Sequence, residues 1–472
     1  MQFVHNGPDI PDRLLEAHED GRVVFFCGAG ISYPAGLPGF RELVKALYER
    51  LVWSPSSIEE TAIAKGEYDT AIGLLENKIV GGREKVRREL AGILTADLSK
   101  PKATVTHEAL LTLSLNRKGR YRIVTTNFDR IFEHVIDRKN LALERFKAPL
   151  LPVPKNRWDG VVYLHGLLPE TPTDSELDRL VVSSGDFGLA YLTERWAARF
   201  VSELFRNYAV CFVGYSLNDP VLRYMMDALA ADRLLGESPI QTYAFASYSK
   251  GKEVEASNEW KAKNVTPILY RQSRRHRHLH ATLHEWAATY RDGISGKESL
   301  VVRYAATPPM QSTREDDYVG RVLWALADRS GIPAKRFAEL EPPPSLDWLE
   351  SLTEKRFNQE DLARFGVAPE SNKDDVLAFS FAFRPTPYTL APWSALVSSG
   401  PTESRWDNVM VQLARWLTKH LDNPKLLLWV ANHGGALHSN FARLIRDALN
   451  EKPPPTAIQT LWRLVLGGHV RA

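Results

Sequence analysis

The chain has 472 residues, and its 60 Lys plus Arg against 57 Asp plus Glu leave a formal net charge of +3, too even to favour nucleic acid or an anionic membrane as the main partner. Hydrophobic residues at 44% and charged residues at 25% exclude a chain dominated by disorder, and no apolar run approaches the roughly 18 residues of a membrane span. At about 150 residues per domain the length predicts two or three domains.

Met1 to Asp12 lacks a basic flank followed by an apolar stretch, so no secretory signal is expected. Short apolar, β-branched runs then predict strands at Arg22–Cys27, Arg122–Thr126, Val161–Leu164, Ala209–Val213, Thr242–Ala246 and Val265–Tyr270. Helical patterns lie between them. Phe40, Leu43, Val44, Leu47 and Leu51 share one helical face. Strands separated by helices predict a parallel sheet covered on both faces, an α/β, Rossmann-like fold. Residues 54–115 hold only helical patterns and are expected to form a small helical insertion. Residues 146–160, with Pro149, Pro152 and Pro154, read as a surface loop. Residues 296–317 read as a linker, and 318–472 as a second, mainly helical domain for sensing or assembly. There Trp406, Val409, Leu413, Trp416 and Leu417 recur at helical spacing, and Asn423-Pro424 is a stop. Leu461–Ala472 is apolar with no terminator, so the chain is expected to be the start of a longer protein. Only Cys27 and Cys211 occur, too few for a four-cysteine zinc site, and a reducing cytoplasm fits best.

Four strand ends carry residues suited to chemistry. After the first come Gly28, Ala29, Gly30, Ile31 and Ser32, then Gly36-Leu37-Pro38-Gly39-Phe40-Arg41. A strand ending in Gly-x-Gly lets backbone amides approach a pyrophosphate, and the next helix start adds positive charge. The third glycine of the usual dinucleotide spacing is missing, and a tight strand-to-helix turn fits the same residues. After the second strand, Asn127 and Asp129 in Thr125-Thr126-Asn127-Phe128-Asp129 would face the crevice or cap a helix. After the third, His165 in Tyr163-Leu164-His165-Gly166 is a general base near neutral pH or a structural histidine. After the fourth, Gly214-Tyr215-Ser216-Leu217-Asn218-Asp219-Pro220 would receive the other half of a dinucleotide or simply turn the chain.

Taken in order, these four motifs resemble the catalytic core of the sirtuins, over roughly residues 15–290. The phrases from Phe212 to Pro220 and from Ser183 to Phe187 look closest to the bacterial sirtuin-like proteins of anti-phage defence. Two departures stand out. The paired cysteines of the deacylases' zinc module are absent, and Gly39 stands where deacylases usually have Asp. Losing the zinc module argues against an acyl-lysine cleft and leaves the NAD pocket.

The resemblance implies NAD as substrate, no metal, and cleavage of the nicotinamide–ribose bond with water as acceptor. Asn127 would hold the ribose and the water, His165 would act as base or orient the ribose hydroxyls, and Asp129 would position the nicotinamide side. Gly28, Ala29, Gly30 and Ser32 would take the pyrophosphate, with Phe40 beside them and Arg41 as charge partner. Gly214, Tyr215, Ser216 and Asp219 would meet the adenosine half. A homo-oligomer, a phage trigger or a defence partner protein follow by the same analogy. An NAD-dependent deacylase or ADP-ribosyltransferase, and a non-catalytic NAD or ADP-ribose-binding subunit, stay open as alternatives.

Weaker signals are the basic run Arg271–His280, with His276, His280 and His284 spaced for one helical face, and His433-Gly434-Gly435 with His438 after the run Leu426–Val430. The first is read chiefly as a solvated helix start rather than a metal or nucleic-acid site, and the second as a turn.

Overall fold

Val23, Val24, Phe25, Phe26 and Cys27 are all buried, as a strand covered on both faces requires. In this computed structural model that strand, β1 (Val23–Cys27), is central in a seven-stranded sheet. The others are β2 (Arg122–Thr125), β3 (Glu144–Lys147), β4 (Gly160–Tyr163), β5 (Ala209–Val213), β6 (Tyr243–Tyr248) and β7 (Thr266–Arg271). Their spatial order is β3-β4-β2-β1-β5-β6-β7, and every pairing is parallel. The structure describes residues 1–154, 158–217, 219, 222–226, 241–328, 330–353, 408–432, 437 and 439–467.

Register brings the tips of the inner strands to one level. Cys27 on β1 stands beside Thr125 on β2 and Val213 on β5, and Thr125 stands beside Tyr163 on β4. After β4 the chain crosses to the other side of β1, so the order reverses between β1 and β5. Ligands of open α/β sheets bind at such a reversal, outside the carboxyl ends of the strands.

Six strands lie where the apolar runs place them. The seventh, β3, falls across the start of the predicted loop at 146–160. Its sequence, Glu-Arg-Phe-Lys, is charged and largely exposed because it is an edge strand, so it carries no apolar signal. The expected insertion at 54–115 is helical, but its helices divide. Ser57–Lys65, Tyr68–Lys78 and Gly82–Ile93 pack with the preceding helix, Phe40–Arg50, around Val44, Leu47, Ile72, Leu75, Val86 and Leu90. Val105–Ser114 instead packs on β1 and β2. The insertion's core also takes Leu168, Leu177, Leu180 and Val182 from beyond β4.

By contacts the chain forms two compact units, one of Asn6–Ile10 with Leu14–Ala288 and one of Met1–His5, Pro11–Arg13 and Thr289–Ala472. The sheet lies in the first. In the second, the described regular elements beyond Thr289 are helices. Trp348, Trp416 and Trp462 are fully buried, and each indole N–H donates to a backbone carbonyl, of Ala305, Pro344 and Leu421 respectively. Helix Asn408–Thr418 contains the predicted stripe from Val409 onward, while Trp406 lies outside the described residues. Pro424 opens the following helix, Pro424–Asn432, so the apolar run there is helical. The stretch at 296–317 departs from the expected linker. Most of helix Ile294–Tyr304 falls inside it, with Leu300 and Val301 buried, because its apolar residues find a face to cover. His433, Gly434, Gly435 and His438 lie outside the described residues.

Candidate active site

Two turns interlock at the reversal of strand order. The Gly28 amide donates to the Val213 carbonyl at 2.8 Å, and the Gly30 amide to the Gly214 carbonyl at 2.9 Å. A β-carbon on Gly30 would stand 2.8 Å from the Gly214 α-carbon, and one on Gly28 would stand 2.9 Å from the Tyr215 ring. The glycines are therefore needed for backbone-to-backbone contact. The Gly28 and Gly30 amides are spent on the end of β5 and its turn and not held out toward a ligand. Ala29, which opens the 3₁₀ helix Ala29–Ala35, occupies a position whose amide has no partner within the helix.

In front of these turns is a cleft. Ala29, Ser32, Phe40, Asn127, Asp129, His165 and Asp219 all line it, together with Gly39, Thr126, Phe128 and Phe187. Gly28, Gly30, Gly214 and Tyr215 stand behind the lining. Tyr215 shares a hydrogen bond with Thr126 at 2.6 Å, linking the tips of β5 and β2. Two expected residues stand apart. Arg41 follows Phe40 by one residue, hence about 100° around the helix. It is exposed and lines a neighbouring groove with Lys45, Trp53 and Tyr68. Ser216 is exposed and is not among the residues lining the cleft. Asn218 and Pro220 lie outside the described residues.

Ser32 is the hub of the polar wall. Its hydroxyl donates to Asp129 Oδ2 at 2.8 Å and accepts from Asn127 Nδ2 at 3.1 Å. His107 Nε2 lies 3.5 Å from the same oxygen. The Asn127 backbone amide donates to Thr125 Oγ1 at 3.1 Å, which holds the residue at the strand end. Asp129 does two jobs. Oδ1 accepts from the Ile131 amide at 3.1 Å, two residues on at the start of the following helix, while Oδ2 takes Ser32. Burial raises the Asp129 pKa, and the bonds from Ser32, Ile131 and Asn127 oppose that rise only in part.

His165 is 1% exposed. Burial lowers its pKa to about 3, so the ring is neutral at physiological pH and holds an added proton poorly. Nε2 lies 3.0 Å from the Tyr191 hydroxyl, and the ring meets Phe187 edge-on with centroids 5.1 Å apart. A base poised near neutrality, as the sequence alone allows, differs from this buried ring.

Tyr191 escaped the motif reading, and Phe187 entered it only within the phrase Ser183–Phe187, because nothing in their spacing signals a long-range contact with His165. Phe187 stacks on Tyr224 at 4.9 Å. Just before Phe187, Asp186 is anchored by ion pairs to buried Arg87 and to Arg83. Burial would raise the Asp186 pKa, but the two arginines and the Ser183 and Val182 amides hold it below the usual range. The three histidines of the basic run have separate surroundings. His276 Nδ1 meets the Tyr270 hydroxyl, His280 Nδ1 meets Thr106, and His284 sits beside Glu285. Among the described residues no His, Cys, Asp and Glu group gathers as a metal site would require. No described helix is long and apolar enough to cross a membrane.

Residues 121–268 match the family model of the SIR2-like domain. The chain is 31% identical over 341 residues to the uncharacterized protein y4cA of Sinorhizobium fredii (strain NBRC 101917 / NGR234), an alignment covering 70% of this chain and 28% of that protein. It is 25% identical over 230 residues to the NAD(+) hydrolase ThsA of Acinetobacter baumannii (strain 532279), covering 48% of this chain and 43% of that one. The chain thus matches less than half the length of each of these relatives. The SIR2-like match runs from β2 into β7, across the parallel sheet whose cleft lies at the strand-order reversal.

Proposed function

We propose that the chain is an NAD+ glycohydrolase that cleaves NAD+ to nicotinamide and ADP-ribose, and that it acts in prokaryotic anti-phage defence by depleting NAD+. The observation that carries this reading is the convergence of Asn127, Ser32, Asp129 and His165 on one cleft. The likeness to a NAD(+) hydrolase supports it. The reaction consumes one water, breaks the bond between nicotinamide and ribose, forms a C–O bond at the anomeric carbon and releases a proton.

The cleft's residues fit such a substrate. Ala29, at the start of its 3₁₀ helix, offers an amide to a phosphate oxygen. Phe40, Leu43, Phe128 and Phe187 supply apolar walls for ring systems. Asn127, fixed through Ser32, presents an amide able both to donate and to accept, as holding a hydroxyl or a water requires. Asp129 stands close by, where its negative charge would favour a transition state that gathers positive charge on the ribose. The second reading weighed from the sequence, a deacylase, has no observation here in its favour.

Held in check until infection, such an enzyme would work in the cytoplasm as a homo-oligomer, with a phage component or partner protein as trigger. The test is incubation of the purified chain with NAD+, with and without an acyl-lysine peptide, followed by product separation. The expected result is nicotinamide and ADP-ribose in equal amounts without peptide, lost in Asn127→Ala. Turnover only with peptide, yielding an acylated ADP-ribose, would replace this reading by the deacylase.

A further inference from the structure

Tyr191 stands on a π-helical turn, Gly188–Thr193. Such turns are rare and gather at functional sites. The ring is 3% exposed and lies in a stack, 6.0 Å from Phe187 and 5.6 Å from Tyr224, so the phenol is held in place. Among the described residues its hydroxyl has one hydrogen-bond partner, His165 Nε2, at 3.0 Å. Tyr191 is not among the residues lining the cleft, whereas His165 is.

A phenol and a neutral imidazole can share that bond in two ways. If Nε2 carried the ring proton and donated to the phenolic oxygen, the Tyr191 hydrogen would be buried with no acceptor and would lose its hydration for nothing. If Tyr191 donates to Nε2, its only hydrogen is used, and the ring proton sits on Nδ1. Neither group escapes by ionising. Burial raises the Tyr191 pKa far above its ordinary value, and it lowers that of His165 to about 3.

We infer that Tyr191 is a positioning residue: its hydroxyl donates to His165 Nε2 and fixes the imidazole as the Nδ1–H tautomer, so that His165 meets a ligand as a neutral hydrogen-bond donor and not as a base. The oxygen it serves is a ribose hydroxyl or the attacking water, a role that rests on the NAD+ reading, whereas the tautomer does not. The proton released on hydrolysis then goes to a cleft carboxylate or to solvent. Among the described residues, Asp129 and Asp219 are the carboxylates that line the cleft.

The experiment has two arms. In the first, full-length protein labelled with ¹⁵N-histidine is studied by NMR at neutral pH without NAD+, with His165 assigned by its loss in His165→Gln. The expected spectrum shows Nδ1 protonated and Nε2 bare, with Nε2–H growing in Tyr191→Phe. A wild-type ring protonated at Nε2 overturns the inference, whatever the protein does with NAD+ and whether or not the variant folds. In the second, Tyr191→Phe is expected to lower kcat at least about 10-fold with KM for NAD+ held within about twofold. Unchanged kcat in a folded variant overturns the inference and leaves NAD+ hydrolysis standing. A wild-type chain that leaves NAD+ intact removes the substrate reading alone, and the spectrum still decides the tautomer.

Discussion

The α-carbon of Gly214 lies only 2.8 Å from the point where a β-carbon on Gly30 would stand. The two turns that form the back of the cleft touch through bare backbone, and no flexible side chain is available to give way. Gly30→Ala should therefore lower stability by about 1–3 kcal/mol through overpacking. Gly214→Ala should cost more, about 2–4 kcal/mol, because its φ of +78° adds backbone strain. Gly119 also has a positive φ, +74°, but meets nothing within 4 Å, so Gly119→Ala isolates the backbone part. Urea denaturation of the three variants checks the ranking; equal losses at Gly119 and Gly214 would contradict it.

The hydroxyl of Ser32 joins Asn127 to Asp129, so the three should fail together. Asn127→Ala is expected to reduce nicotinamide release at least about 10²-fold with an unchanged far-UV circular dichroism spectrum. Ser32→Ala leaves the Asn127 amide and Asp129 Oδ2 without their shared partner and should reproduce much of that loss. A double-mutant cycle on Ser32 and Asp129 reads the coupling; strictly additive losses in activation free energy would mean the hub does not act as one unit.

Acid should unfold this protein early. His18, His107, His165 and His280 have pKa values lowered by burial to about 4, 3, 3 and 4, against 6.5 in an unfolded chain. Below pH 6.5 the unfolded state binds protons that the native state refuses, so stability present above pH 6.5 is lost as pH falls toward 4. Each ring contributes a loss of about 1.4 kcal/mol per pH unit across that window. Melting temperature should drop clearly between pH 7.5 and 5. Changing a buried histidine to a neutral isostere should flatten the slope; an unaltered slope would show that the ring is not buried in its neutral form.

Arg87 is 1% exposed and is held by Glu76, by Asp186 and by the carbonyls of Leu177 and Leu180. Arg87→Ala would leave buried Glu76 and partly buried Asp186 to Arg83, at a cost of about 3 kcal/mol. Its neighbour Arg88 pairs with Asp174 at the exposed surface, and Arg88→Ala should leave the denaturation midpoint where it is. Measuring both midpoints tests burial rather than charge.

Strand ends were legible because a buried parallel strand must be apolar throughout and a tight turn must follow it. Cys27-Gly28 and Val213-Gly214 show that rule in the plainest form. Edge strand β3 was not legible, since Glu144, Arg145 and Lys147 face solvent and follow no apolar rule. Helical phase separated Phe40 from Arg41, a difference that a linear motif does not express. The partners of the motif residues were hidden for another reason. Tyr191 reaches His165, and Arg87 reaches Asp186, through contacts that only folding creates, and neither residue type is unusual where it stands. The apolar stripe that makes a helix of Ile294–Tyr304 was masked by the polar, proline-containing chain just after it.

The strand order has a consequence for synthesis on the ribosome. β1 emerges first, yet one of its two flanking partners, β5, is complete only at Val213, and the lining runs on to Asp219. Until nearly half of the 472 residues have been made, the growing polypeptide lacks one wall of the hollow. A newborn or prematurely terminated product ending before β5 thus has no complete chamber in which to consume a nucleotide.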